Sequence, residues 1–69
     1  MSATDTLRAN LSAAGIEYEN YGDHYIIVES RGVRWAVRDN YDNKTMNVCN
    51  NRLTPDEMMR VITGRDAWT

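Results

Sequence analysis

The chain has one cysteine and one histidine. The first excludes an internal disulfide, and the pair together nearly excludes a structural zinc site, which draws its ligands from these two residue types. Charge of neither sign dominates: ten acidic and eight basic side chains give a formal net charge of -2. A dedicated nucleic-acid binder carries a basic surplus, because neutralising phosphates dominates its affinity. A DNA mimic would carry a far larger acidic one. No segment approaches the roughly 20 apolar residues needed to cross a bilayer. Met1-Ser2-Ala3-Thr4-Asp5 has neither the basic cluster nor the apolar run of a secretory signal. With a lone cysteine suited to a reducing interior, these absences lead us to expect a cytoplasmic protein with no membrane partner. Gly15, Gly22, Gly32 and Gly64 are scattered at turns and caps, so no glycine-rich phosphate loop exists. The single proline, Pro55, opens a helix and marks no linker.

What is present suffices for one small globular domain over residues 1–69. The 42% hydrophobic and 26% charged composition separates the chain from disordered sequences. Thr4 is the expected N-cap of a first helix, with Asp5 in the first turn, where the helix dipole favours negative charge. Leu7, Leu11 and Ala14 line one stripe. Gly15 then supplies a left-handed ending, with Ile16 placed to fold back on Leu11. Residues 16–21 read as a further strand or as a connection. Tyr21-Gly22-Asp23 reads as a turn.

Two β-rich runs flank Arg31-Gly32. A two-residue loop there sets Ser30 opposite Val33, Glu29 opposite Arg34, Val28 opposite Trp35, Ile27 opposite Ala36, Ile26 opposite Val37 and Tyr25 opposite Arg38. Apolar pairs and charge pairs then both find suitable partners, and a one-residue slip would destroy the agreement. Lys44 to Cys49 reads as a third strand, with Thr45 opposite Arg38, Met46 beside Val37 and Val48 beside Trp35. Asn50-Asn51-Arg52 breaks the pattern. Thr54-Pro55-Asp56-Glu57 is a capping box with proline at the first helical position, and Met58, Val61 and Ile62 follow as the buried stripe up to Gly64.

The expected fold is therefore α+β, in the order α-β-β-β-α, with a three-stranded antiparallel meander and both helices on one of its faces. The expected core is Leu7, Leu11, Ile16, Ile26, Val28, Trp35, Val37, Met46, Val48, Leu53, Met58 and Ile62.

Chemistry is sparse. His24 is the only imidazole base, and its sequence neighbour Asp23 would point to the opposite face of a strand. Cys49 lies near the end of the third strand, within reach of Arg34 across the sheet; a neighbouring cation can activate a thiol, but the default reading is a small, half-buried cysteine. Asp56 and Glu57 are accounted for by the first turn of a helix. Asp39, Asp42 and Asn43 lack the spacing and the closing glutamate of a calcium loop. We expect no enzyme, no metal and no cofactor.

The open sheet face is the remaining feature. Tyrosine and arginine are enriched at protein interfaces, because each joins apolar area to a polar handle. Tyr25, Ile27, Arg34 and Arg38, with Tyr41 in the following loop, form the candidate partner-binding set. Arg31, Arg34, Arg38 and Lys44, with a tyrosine stacking on bases, form the alternative, a nucleic-acid surface. An unblunted edge strand would make the chain a homodimer; otherwise it is a monomer.

The α-β-β-β-α order resembles the double-stranded-RNA-binding domain, which docks RNA with lysines at the start of its second helix. This chain has Thr54-Pro55-Asp56-Glu57-Met58-Met59 there, so the likeness is one of topology. The stretch Leu53-Thr54-Pro55-Asp56-Glu57 through Ile62-Thr63-Gly64, with the overall outline, also resembles small phage and prophage accessory proteins. Some proteins of that build are anti-CRISPR inhibitors. That resemblance implies a non-catalytic module that binds a host protein or protein complex, such as a CRISPR-Cas effector, and inhibits it.

Overall fold

The central hairpin forms in the expected register. In the computed structural model, which describes residues 1–66, six residue pairs from Tyr25↔Arg38 to Ser30↔Val33 join β2 (Tyr25–Ser30) to β3 (Val33–Asp39). Arg31 and Gly32 both take positive φ, 56° and 79°. This is the pattern of a type I′ turn, whose twist matches that of the strands it joins. Trp68, at the end of the chain, lies outside the described residues.

The sheet has five antiparallel strands in sequential order rather than three. β1 (Tyr18–Asn20) pairs with β2 through Tyr18↔Val28, Glu19↔Ile27 and Asn20↔Ile26, so part of the ambiguous stretch joins the sheet. At the other edge, β4 (Met46–Val48) turns back into β5 (Asn51–Leu53). Cys49 and Asn50 make that turn with φ of 50° and 65°, so Cys49 is a turn residue and not the end of a strand. Asparagine tolerates this left-handed conformation. The run that reads as a strand breaker, Asn50-Asn51-Arg52, in fact supplies the second residue of a two-residue hairpin loop and the first two residues of β5.

The β3–β4 register differs by two residues from the expected one: Arg38 faces Asn47 and Asp39 faces Met46. The cause lies in the loop. The Asn40 N–H donates to the Thr45 carbonyl at 3.0 Å, and the Asn40 amide donates to Thr45 Oγ1 at 2.9 Å. Asp42 Oδ1 accepts from the Lys44 and Thr45 N–H groups at 3.0 Å each. Thr45 is thereby held opposite Asn40. A shift of two keeps every side chain on its face, so Met46 and Val48 remain buried.

The first helix, α1 (Ala3–Ala13), is capped by Ser2 and not by Thr4. Ser2 Oγ accepts the Asp5 N–H and the Ser2 N–H donates to the Asp5 carboxylate, both at 3.2 Å. Thr4 instead points inward and is fully buried. Gly15, at φ 73°, ends the helix. The Ile16 N–H reaches the Leu11 carbonyl at 2.9 Å, the Schellman bond that the sequence predicts. The second helix, α2 (Pro55–Ile62), carries the expected Thr54–Glu57 capping box. It ends in the same way at Gly64, with the Arg65 N–H on the Arg60 carbonyl at 2.8 Å.

Both helices contribute to one apolar cluster on the inner face of the sheet. Ten of the twelve expected core residues are buried, and Ile16 and Leu53 are partly buried against them. Ala3 and Val61 complete the cluster. Val33, on the inner face at the hairpin end, is exposed.

Leu11→Ala is expected to cost about 2–5 kcal/mol in urea unfolding, whereas Ile27→Ala on the outer face costs about 1 kcal/mol or less. Equal losses would contradict a core confined to one side.

Candidate functional site

Strand alternation places Tyr25, Ile27 and Glu29 of β2 and Arg34, Ala36 and Arg38 of β3 on the outer face, flanked by Glu19 and by Asn47 and Arg52. Among the described residues, no helix covers this face: β3 is exposed at Arg34, Ala36 and Arg38 and buried at Trp35 and Val37 between them.

The outer side chains are braced against one another. The Arg38 guanidinium carbon lies 4.8 Å from the centroid of the Tyr25 ring, a cation–π contact between register partners. The Tyr21 ring sits 5.7 Å from that of Tyr25, tilted by 37°. Its hydroxyl donates to Glu19 Oε2 at 2.8 Å. This bond holds the Glu19 carboxyl below the usual carboxylate range and raises the Tyr21 phenol. Arg34 reaches both Glu19 and Glu29 at 3.4 Å. One cation therefore stands between two carboxylates, and the face carries both signs of charge.

Of the five expected partner-binding residues, the structure brings Tyr25, Ile27, Arg34 and Arg38 onto one surface. Tyr41 stands apart, exposed in the loop after β3, where it lines a cavity of about 540 Å³ with His24, Asp39, Asn40 and Asn43. The alternative basic set is not gathered. Arg31 precedes β3 and its guanidinium lies over Gly64, while Lys44 belongs to the loop beyond the strand's far end. The seven residues of β3 put roughly 20 Å between those two ends.

The sequence reasoning missed a polar cluster beneath the N-terminus of α1. His24 pairs not with Asp23 but with Asp39, Nδ1 to Oδ2 at 2.8 Å. The imidazole is 71% exposed and the carboxylate 5%. Asp39 also accepts the Thr4 N–H at 2.7 Å and the Thr4 hydroxyl at 2.8 Å. Arg8 closes the group, donating to the Gly22 and Asp23 carbonyls at 2.7 and 3.0 Å. The available signal was the alternation Trp35, Val37, Asp39, which puts Asp39 on the inner face. An imidazole oriented by a buried carboxylate supplies the base and the orienting group of a catalytic triad. Among the described residues, however, no hydroxyl or thiol hydrogen-bonds that ring. The cluster reads instead as an anchor, with a buried anion set against the positive end of α1.

Burial pushes the Asp39 carboxyl up, but the hydrogen bonds from His24 and from the Thr4 N–H and hydroxyl outweigh it and hold it below the usual range. Cys49 is exposed in the β4–β5 turn and lines a cleft that Arg34 also borders. Among the described residues, no three of His, Cys, Asp and Glu are placed to hold a metal ion, and no helix is long and apolar enough to cross a membrane.

No protein-family model matches this chain, and no curated protein or solved structure is significantly similar to it.

A carboxyl with a depressed folded pKa stabilises fully above its unfolded value, near 3.9, and that contribution is lost as pH falls through the folded value. Asp39→Asn should cost about 1–3 kcal/mol at neutral pH and should flatten the decline in stability below about pH 5. An unchanged acid limb would show that Asp39 does not anchor α1.

Proposed function

We propose that this chain is a non-catalytic protein-binding module that engages its partner with the outer face of the sheet. One observation carries the reading. The uncovered face presents a Tyr25–Arg38 stack beside half-buried Ile27, braced by Tyr21 and by the Glu19–Arg34–Glu29 group. Such a face binds with little ordering cost, because its long side chains are already held by their neighbours. Its mixed charge suits a protein surface better than a phosphate backbone. The partner class we favour is a host protein complex, the chain acting as a phage or mobile-element accessory protein that inhibits a defence effector such as CRISPR-Cas. That part of the reading rests on the small αβ outline and the capped closing helix. The runner-up, nucleic-acid binding, has Arg34 and Arg38 on the face, but Arg34 is already shared between two carboxylates.

Affinity capture from nuclease-treated host lysate should recover a stoichiometric protein partner. Tyr25→Ala and Arg34→Ala should each abolish that capture while leaving the fold intact, whereas Ser12→Ala on α1 should not affect it. Retained binding by both outer-face variants would refute the site. Recovery of nucleic acid alone, weakening steeply between low and moderate salt, would favour the runner-up.

A further inference from the structure

The outer face is built from register pairs of complementary chemistry. Across the β2–β3 hairpin, Tyr25 faces Arg38, Ile27 faces Ala36 and Glu29 faces Arg34. Each pair sets a ring against a cation, one apolar side chain against another, or an anion against a cation. A line drawn between the two strands therefore divides the face into complementary halves. A two-fold axis along that line lays each half on the opposite half of a second copy. Tyr25 then meets Arg38 of the second copy, Glu29 meets its Arg34, Ile27 meets its Ala36, and each contact occurs twice. Sheets stacked in this way lie roughly 10 Å apart with strand directions within about 30° of each other. Tyrosine, arginine and glutamate side chains reach across such a gap.

The face is open to this approach. Glu29, Arg34, Ala36 and Arg38 are exposed, and Tyr25 and Ile27 are half-buried. Among the described residues, Arg38 has no carboxylate within ion-pair distance. The two Arg34 contacts, at 3.4 Å, are longer than a well-formed hydrogen bond and join side chains more than half exposed. Such pairs exchange partners at little cost. The sheet edges offer a poorer route. Both edge strands have three residues, and pairing β1 with that of a second copy, centred on Glu19, would set like charges opposite each other. Five strands roughly 4.8 Å apart and a hairpin about 20 Å long give the face about 400–500 Å² per copy. The total, about 1,000 Å², lies at the lower limit for a specific interface, so the contact is weak and reversible.

We propose that a second copy of the chain occupies the outer face as a weak two-fold dimer, which stores that surface until a tighter partner displaces it. The storage role rests on the outer face being the partner-binding surface; the dimer itself stands without that reading.

Sedimentation velocity of the full chain, from low micromolar to millimolar concentration, tests this. A reversible monomer–dimer equilibrium is expected. Glu29→Arg and Arg34→Glu should each weaken the dimer at least about tenfold, because each sets like charges across the two-fold at both contacts. An equimolar mixture of the two variants should regain it as a heterodimer, since unlike charges then meet again. The repulsion inside each variant is the same alone and mixed, so the regain reads the contact between chains. Amide shifts of the wild-type chain on dilution need no variant, and they should fall on residues 25–29 and 34–38. A chain monomeric throughout, a dimer undiminished in both variants, a mixture of folded variants that stays monomeric, or dilution shifts confined to β1 or β5 would overturn the proposal. Capture from lysate uses dilute chain, where the monomer prevails, so failure of the dimer and failure of the partner-binding reading are told apart.

Discussion

Two short helices have one apolar stripe each, and together they cover one side of a sheet and no more. α1 has eleven residues and α2 eight. The inner strand residues meet them in one cluster that holds Leu7, Leu11, Ile26, Val28, Val37, Met46, Met58 and Ile62. Among the described residues, no third layer covers the outer face. Its side chains are chosen accordingly, with tyrosine, arginine and glutamate around a narrow aliphatic strip. In a domain this small the hydrophobic margin is thin, so the strict separation of faces is also what makes the fold stable.

Polar contacts then fix how the layers sit. Asp39 continues the inner-face alternation of β3, yet it is a carboxylate at a position where an apolar residue would extend the core. Its cost of burial is offset by the Thr4 N–H, the Thr4 hydroxyl and His24. The result pins the start of α1 to the end of β3. At the other end of the sheet, Ser30 pins the hairpin to the last turn of α2. Among the described residues, no buried side-chain nitrogen or oxygen lacks a hydrogen-bond partner, as a marginal domain requires.

Much of this is written locally in the chain. The six β2–β3 pairs follow from matching two alternating runs across Arg31-Gly32, although that dipeptide is not the favoured one for such a turn. The Gly15–Ile16 ending of α1 and the Thr54–Glu57 box of α2 follow from cap chemistry. The departures have one tertiary cause and two local ones. Ser2 caps α1 because Thr4 is recruited by Asp39, 35 residues away. β5 escapes notice because Asn51-Arg52-Leu53 has too little alternation to read as a strand, and only the positive φ of Cys49 and Asn50 reveals the turn before it. The β3–β4 register depends on how Asp42 and Asn40 fold their own loop. For the candidate site, four of the five partner-binding residues share the expected face because alternation governs them. Tyr41 does not, because loop residues escape that rule.

The proposed function requires the outer face to be an interface. Site-specific photo-crosslinking reads this directly. A photoreactive residue placed at Ile27 or Ala36 should capture one defined protein from nuclease-treated host extract, while the same group at Asn10 on α1 should capture none. Crosslinking of that protein from Asn10 and not from the sheet would contradict the account.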